Sequence, residues 1–531
     1  MSAGLYDVGT MWQLVERRAE ASPDAPMLLD DADRRVTFAE FRDWAERVAA
    51  GLHALGVSAG TPVTWQLPTR IETVVVSMAL ARLGAVQNPI IPIYREREVG
   101  FALRQTRAEL VIVPGLWRAF DFPAMANALV AELEHPAQVL VIDPNRPDAG
   151  LPEGDVATLP PPPSAAPIDG EAPVRWIYYT SGTTSDPKGV QHTDATLLAG
   201  GRGLAVALDM TPADVGSIAF PFAHIGGPDY LVTVLAHGFP AVLLETFVPS
   251  EAVALFARHG VTMAGGSTAF YIAFLNEQRK AVQMGGPGAK IIPTLRLLSG
   301  GGAPKPPEVY FEVQRELGVQ VAHGYGMTEV PMIAQGSPHD TDDQLAHTEG
   351  APVVGAEVRI VSLDGTACPP GTEGEVRLRG PMVCKGYTDA SLNSAAFDGE
   401  GYFRTGDLGI LRADGHLTLT GRLKDVIIRK GENISAKEIE DLLYQHPKVA
   451  EVAVIGLTDR DRGERVCAVV ELTAAVDTLD LKEMVTYLRD AGLMVQKIPE
   501  QLEVVDKLPR NATMKILKHQ LRDAFAAKSW P

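Results

Sequence analysis

Residues 174–189 read VRWIYYTSGTTSDPKG, and this stretch decides how the rest of the chain is understood. Val174–Tyr179 is rich in β-branched and aromatic side chains, the composition of a strand. It passes directly into a loop carrying the hydroxyls of Thr180, Ser181, Thr183 and Thr184, together with Gly182, Lys188 and Gly189. Backbone N–H groups freed by glycine, and the hydroxyls beside them, can wrap phosphate oxygens, and Lys188 adds a cation. The order is not that of a Walker A loop, because Lys188 precedes Gly189 and no Ser or Thr follows the lysine. By composition alone the segment also suits an ordinary loop.

Working outward, the chain before this loop alternates helical and strand-like spacing. Phe38–Leu55 is predicted as a helix, Thr61–Leu67 as a strand and Ile71–Leu83 as a second helix, with apolar runs at Leu110–Val113 and Val139–Ile142. That alternation predicts an α/β fold with parallel sheets. Leu159–Pro167 is a proline-rich, stiff connector leading into the loop. Past it, Tyr230–Leu244 is strongly apolar but interrupted by His237, Gly238 and Pro240, which predicts a buried helix–turn–strand. Between Val358 and Leu419 the pattern changes to short strands with glycine-bearing turns, a small β-rich subdomain. From about Lys424 it changes again: a helix at Ala436–Tyr444, strands at Val449–Ile455 and Val466–Leu472, a helix at Leu481–Leu493 and a last helix after Met514. A boundary near Arg422–Lys424 divides the chain into units of residues 1–423 and 424–531.

A chain of 531 residues exceeds what one apolar core usually organises, in keeping with two units. With 46% hydrophobic residues it can bury a large core, and its formal net charge of −18 argues against binding nucleic acid or an anionic membrane surface. A nucleotide is not excluded, since local cations can hold phosphate inside an acidic protein. No apolar run reaches the ~18 residues of a membrane span, so no integral membrane association is expected. The first residues, MSAGLYDVGT, show no signal-peptide pattern. Cys368, Cys384 and Cys467 are widely spaced, with no metal-ligand pattern, which suits a reducing cytoplasm. Monomer and homodimer remain equally open.

The segment YYTSGTTSDPKGV resembles the phosphate-binding signature of the adenylate-forming superfamily, which contains acyl-CoA synthetases, adenylation domains and luciferases. The resemblance continues in family order. PFAHIGG (Pro221–Gly227) resembles the substrate-pocket motif, SGGGAPKP (Ser299–Pro306) the adenine-side loop, and GYGMTE (Gly324–Glu329) the motif spanning adenine, α-phosphate and metal. YFRTGDLG (Tyr402–Gly409) resembles the ribose motif, GRLKDVIIRKGENISAKEIE (Gly421–Glu440) the hinge with the following loop, and LPRNATMKI (Leu508–Ile516) the terminal lysine motif. The implied fold is a large N-terminal α/β domain of two helix-flanked sheets plus a small distorted β-barrel, followed by a small mobile α+β C-terminal domain. The implied reaction uses ATP, Mg²⁺ and coenzyme A: a carboxylate is activated as an acyl-adenylate and then passed to the thiol.

Carried over by motif, the resemblance makes Lys515, Thr328, Glu329 and Lys188 the catalytic group, with Glu329 holding Mg²⁺. Nucleotide binding falls to Thr180, Ser181, Gly182, Thr183, Thr184, Gly301, Gly302, Ala303, Gly324, Tyr325, Gly326, Thr328, Asp407, Arg422 and Lys515. Tyr325 is expected to stack on adenine and Asp407 to accept from both ribose hydroxyls. Lys424 matches the hinge, and Lys430, Gly431 and Glu432 the loop that faces the thiol after rotation. These residue types suit the chemistry. Two unit charges ~4 Å apart repel by about 4 kcal/mol at an effective dielectric near 20, so joining a carboxylate to a phosphate requires cations and donors at the meeting point. Two positions depart from the family pattern: Met514 stands where glycine is common before the terminal lysine, and Ala436 where proline is usual.

His224, Gly226, Gly227 and Val330 are the expected acyl-pocket residues. Gly265 and Gly266 are expected to leave further room, and Phe270 and Ile272 to be apolar neighbours. PFAHIGG has no Asp to hold a substrate ammonium, although Asp229 lies two residues beyond. An unsubstituted medium-chain, alicyclic or aromatic acid is therefore expected rather than an amino acid. Two alternatives accompany the acid–CoA ligase: a stand-alone adenylation enzyme loading a carrier protein, and a non-catalytic nucleotide-binding paralogue.

Overall fold

The computed structural model describes residues 5–143, 149–165, 171–180, 187–362, 364–429, 432–459, 462–474, 478–510 and 516–526. The strand that opens the decisive loop, Trp176–Thr180, lies inside a seven-stranded sheet. It pairs in parallel with Val86–Pro89, and the sheet continues in parallel through Pro62–Trp65, Leu110–Val113 and Gln138–Val141. On its other side Lys188–His192 folds back antiparallel and pairs in turn with the two-residue strand Gly386–Tyr387. Two more sheets complete this part. In one, Met263–Gly266, Leu297–Gly301 and Gln320–Met327 run parallel before a hairpin to Val330–Gln335. In the other, Gly216–Ile218, Ala241–Leu243 and Pro26–Leu29 run parallel, with Arg35–Thr37 antiparallel at the edge.

The predicted helix at Ile71–Leu83 forms over those residues, and all thirteen are buried. Its sequence is apolar on every side, which places such a helix inside the protein rather than over a surface. The two charges it carries are compensated: Glu72 pairs with Arg34, and Arg82 donates to the Pro160 carbonyl at 2.9 Å. The apolar run at 230–244 behaves as expected. Helix Gly226–His237 ends on Gly238, whose φ of +75° turns the chain into strand Ala241–Leu243. No described helix is long and apolar enough to cross a membrane.

The β-rich segment is a four-stranded antiparallel sheet of Glu357–Val361, Gly374–Arg379, Phe403–Leu411 and Leu417–Arg422. Hydrogen bonds of 2.9 Å between Glu349–Gly350 and Leu417 fasten it to the preceding strands. Beyond it the chain has a separate apolar core. Sheet strands Val449–Asp459 and Gly463–Leu472 pack against helices Ala436–Leu443 and Leu481–Asp490 through Ile439, Leu443, Met484 and Leu488, all fully buried. Burying each such side chain contributes roughly 1.5–3 kcal/mol, so this unit has its own source of stability. Helix Ala436–Leu443 begins behind Ser435, whose hydroxyl accepts from the Glu438 N–H at 3.4 Å. Ala436 therefore occupies a first-turn position at which proline is equally acceptable.

Where the two parts meet, Ser435 Oγ donates to the Thr420 carbonyl at 2.6 Å. Lys437 sits in the field of the buried Glu349 and Lys305. Burial pushes the Glu349 carboxyl up and the Lys305 amine down. At the far end of the second unit, Arg510 pairs with Glu451 at 2.9 Å and bridges backbone to backbone with Ile516. The Leu517 N–H donates to the Pro509 carbonyl at 2.8 Å.

Candidate active site

The parallel strands deliver their carboxyl ends to one region, the place where open α/β sheets bind ligands. Thr180 ends one strand and Lys188 opens its antiparallel partner, directly opposite in register. Ser181, Gly182, Thr183 and Thr184, between them, lie outside the described residues. Because the Lys188 strand also pairs with Gly386–Tyr387, the Lys188 ammonium lies 5.2 Å from the centre of the Tyr387 ring. The Tyr387 hydroxyl donates to Glu329 Oε1 at 2.7 Å. Lys188 and Glu329 are thus brought to one tyrosine for which the motif reading had no place, the first over its ring and the second at its hydroxyl.

Thr328 and Glu329 form the turn between strands Gln320–Met327 and Val330–Gln335, with Met327 opposite Val330. The turn is held from two further directions. The Cys384 N–H donates to the Glu329 carbonyl at 2.9 Å, and His192 Nε2 lies 2.8 Å from the Thr328 carbonyl. A carbonyl only accepts, so Nε2 carries the proton and Nδ1 accepts from the Thr196 hydroxyl at 2.9 Å. Burial lowers the His192 pKa to about 4, keeping the ring neutral. Glu329 Oε2 has no hydrogen-bond partner among the described residues. A carboxylate oxygen without a hydrogen-bond partner, on a side chain whose other oxygen bonds the tyrosine next to Lys188, suits Mg²⁺, which commonly takes one or two carboxylates and completes its shell with phosphates and water. Among the described residues no group of three or more His, Cys, Asp or Glu side chains forms an all-protein metal cage.

The residues that the motifs assign to the nucleotide also converge. Strand Leu297–Gly301 pairs with Gln320–Met327 so that Gly301 lies opposite Gly324. The backbones here approach so closely that a Cβ on Gly301 would sit 2.5 Å from the Gly324 carbonyl, and one on Gly326 2.2 Å from that of Pro331. Gly302 follows with φ +78°, and the Ala303 carbonyl accepts from His323 Nε2 at 2.9 Å. The Tyr325 hydroxyl donates to Asp407 Oδ2 at 2.6 Å, while Asp407 Oδ1 pairs with Arg422 Nε at 2.7 Å. Asp407 and Arg422 face each other on adjacent strands. A buried carboxylate is thereby held in one orientation between a phenol and a guanidinium.

A cavity of about 440 Å³ opens beside these groups, and Thr180, Thr328 and His224 all line it. Burial lowers the His224 pKa to about 4, and its Nδ1 accepts from the Gly226 N–H at 3.2 Å. Neither Gly226, Gly227 nor Val330 borders this cavity. Val330 is fully buried in the cluster that also holds Tyr325, Ile333 and Phe403. At two of the glycines the expected room is occupied by backbone: a Cβ on Gly227 would fall 2.0 Å from the Phe222 carbonyl, and one on Gly265, at φ +146°, 1.9 Å from that of Ser299. Gly266 faces the Phe270 ring, and Phe270 packs on Phe247 with ring centres 4.2 Å apart. Gly227 and Gly265 thus permit close packing of the chain, while a Cβ on Gly226 would make only ordinary contact, 3.4 Å from His224 Nδ1.

Asp229 is 2% exposed, its Oδ1 has no hydrogen-bond partner, and burial raises its pKa to about 8. It is therefore largely a neutral acid at pH 7, not the anion that would hold a substrate ammonium. The folded pKa lies above the ordinary aspartate value of 3.8, so its contribution to stability is greatest below that value and is lost as pH rises through about 8. Asp229→Asn, uncharged throughout, is expected to melt several degrees above the parent at pH 8 and level with it near pH 4. Equal shifts at both pH values would contradict the assignment.

Lys515, Lys430 and Gly431 lie outside the described residues. Glu432 begins the short strand Glu432–Ile434, paired opposite Arg429, and Lys424 lies in the tight turn Leu423–Asp425 between the two units.

The chain matches the family model of the AMP-binding enzyme over residues 15–388 and that of the AMP-binding enzyme C-terminal domain over residues 438–515. It is 32% identical over 532 residues to the medium-chain fatty-acid–CoA ligase of Escherichia coli, covering 98% of this chain and 91% of that one. The same identity and coverage relate it to the salicyl-AMP ligase/salicyl-S-ArCP synthetase of Mycobacterium tuberculosis. Among solved structures, ATP-bound MatB from Rhodopseudomonas palustris superposes with a TM-score of 0.85 at 28% identity, over 97% of this chain and 99% of that one. The o-succinylbenzoate CoA synthetase of Bacillus subtilis, solved with its acyl-adenylate intermediate, gives 0.80 at 29% identity, over 97% and 98%. Matching the family across both models and nearly its whole length, the chain belongs to the AMP-binding enzymes of the adenylate-forming superfamily and is an AMP-forming acid–thiol ligase.

Proposed function

We propose that the protein activates a medium-chain, alicyclic or aromatic carboxylic acid with ATP and transfers the acyl group to coenzyme A. The observation that carries this reading is the convergence of Thr180, Lys188, Thr328 and Glu329 with the Tyr325–Asp407–Arg422 set on one side of the sheets, beside a cavity that Thr180 and Thr328 share. In this reading Asp407 receives the ribose hydroxyls, and Tyr325 presents its ring to the adenine that approaches over Gly301, Gly302 and Ala303. Thr180, Thr328 and Lys188 hold the phosphates, and Mg²⁺ on Glu329 neutralises phosphate charge. Lys515 meets the carboxylate and α-phosphate. Residues 424–531 act as a cap that turns about Lys424, exchanging Lys515 for the loop Lys430–Glu432. The working compartment is the cytoplasm.

An apolar acid is supported by the cavity that His224 lines, to whose wall Ala223, Ile225, Ile90 and Ile91 also contribute, and by relatives named for medium-chain fatty-acid, salicyl and 2-succinylbenzoate substrates. Family membership removes the non-catalytic alternative. Carrier-protein loading stays as the second reading, because a relative of equal identity is named a salicyl-S-ArCP synthetase. The test is acid-dependent ATP–pyrophosphate exchange across a panel of hexanoate to decanoate, cyclohexanecarboxylate, benzoate and salicylate, then product analysis with CoA or a carrier protein. Exchange with one of these acids and acyl-CoA formation are expected. Exchange only with amino acids, or acyl transfer only to a carrier, would refute the proposal.

A further inference from the structure

Residues 384–388 lie far along the chain from both Lys188 and Glu329, yet they are stitched to the backbone beside each. On the Lys188 strand, Tyr387 pairs with Val190, the Lys385 N–H donates to the Gln191 carbonyl at 2.9 Å and the Thr388 N–H to the Gly189 carbonyl at 2.7 Å. At the turn, the Cys384 N–H holds the Glu329 carbonyl and the Tyr387 hydroxyl holds its carboxylate. Tyr387 is itself fixed. Its N–H donates to Asn393 Oδ1 at 2.9 Å, and its side chain, 6% exposed, packs with Val190 and Cys384.

The two groups that meet at this ring are opposite in charge, and the proposed reaction needs them apart: Lys188 for phosphate, Glu329 for the metal ion. An amine and a carboxylate this near attract, the more strongly as water is excluded. A direct pair would neutralise Lys188 and cover the Glu329 oxygens with an ammonium. Among the described residues no such pair forms. The amine instead lies over the ring, 5.2 Å from its centre, and Glu329 Oε1 accepts from the hydroxyl at 2.7 Å.

A buried phenol suits both contacts. Its ring face is the negative side of the aromatic quadrupole and attracts a cation without neutralising it. Burial, with the Glu329 charge beside it, holds the Tyr387 pKa far above the ordinary value, so the hydroxyl keeps its proton and donates it to the carboxylate. One side chain thus offers a cation surface and an anion donor at different places.

We propose that Tyr387 is a positioning residue for the first half-reaction: it keeps Lys188 and Glu329 from pairing, which leaves Glu329 Oε2 for Mg²⁺ and the Lys188 ammonium for phosphate. This rests on the reading of Glu329 as the metal-holding residue and adds to it the side chain that keeps that carboxylate available.

The experiment measures binding of Mn²⁺·ATP, with acid omitted, by the electron paramagnetic resonance of Mn²⁺, and the Mg²⁺ dependence of acid-dependent pyrophosphate exchange. Parent, Tyr387→Phe, Lys188→Met, the double variant and Glu329→Gln are compared. Tyr387→Phe keeps the ring and loses only the hydroxyl, and its melting temperature reports folding. Removing the hydrogen-bond partner of a metal-holding side chain typically weakens metal binding about 10–100-fold. Tyr387→Phe is therefore expected to weaken Mn²⁺·ATP binding by about tenfold or more. The Mg²⁺ midpoint of exchange should rise by a similar factor, with the rate recovering at high Mg²⁺. In the Lys188→Met background, where no amine competes for Glu329, the same substitution should weaken binding clearly less. The inference is overturned by unchanged Mn²⁺·ATP binding in Tyr387→Phe, by equal losses in the two backgrounds, or by a loss of rate that no Mg²⁺ concentration restores. If Glu329→Gln binds Mn²⁺·ATP as the parent does, the metal reading of Glu329 has failed and the inference falls with it.

Discussion

Lys515→Ala is expected to lower acid-dependent pyrophosphate exchange by about 10²–10³-fold, the usual loss when one fixed charge-stabilising group is removed from a transition state. Thiolysis of acyl-adenylate supplied to the enzyme should continue at close to the parental rate. The asymmetry follows from charge. Forming the adenylate brings a carboxylate against the α-phosphate, and an ammonium between them offsets a repulsion of about 4 kcal/mol at ~4 Å in a medium of effective dielectric near 20. Thiolysis starts from a mixed anhydride whose acyl carbon carries no such repulsion, so the same amine has no comparable task. Stopped-flow release of AMP from the supplied adenylate measures the second step alone. Equal loss in both half-reactions would show that Lys515 supports the fold or the second step instead.

Asp407→Ala should have the next largest effect, on two separate readouts. The carboxylate is 3% exposed and is bonded by the Tyr325 hydroxyl at 2.6 Å and by Arg422 at 2.7 Å. Truncation leaves both partners without an acceptor, and breaking a buried pair in this way typically costs about 3–5 kcal/mol. Arg422 is about one-third exposed and can recover water, which puts the expected loss at the lower end of that range. Thermal unfolding reads this loss. If the carboxylate also receives two ribose hydroxyls, losing two charge-assisted bonds raises KM for ATP by roughly 100-fold or more. Asp407→Asn separates the effects. It keeps the shape and an acceptor for Tyr325, so the melting temperature should largely return while KM for ATP stays high. Recovery of both together would make Asp407 a purely structural residue.

Much of this arrangement was readable before any coordinates, because it is written in local patterns. Period and breakers placed Ile71–Leu83 and the turn at Gly238, and the motif order singled out Thr180, Thr328, Asp407 and Arg422. What escaped was the product of distant pairing. Tyr387 reaches Glu329 only because a two-residue strand joins the edge strand at Lys188–His192, and two residues carry no periodicity to detect. Gly227 and Gly265 were misjudged for a related reason. A glycine marks either empty space or a close backbone, and only the neighbour decides; here the neighbours are the carbonyls of Phe222 and Ser299. Asp229 shows the same limit, since its neutrality comes from what encloses it.

The backbone bridge between Arg510 and Ile516, with the Arg510–Glu451 ion pair, ties helix Lys518–Phe525 to strand Val449–Asp459. If residues 424–531 turn about Lys424 as proposed, helix and sheet swing as one piece, and the rate of the first half-reaction reports where that piece points.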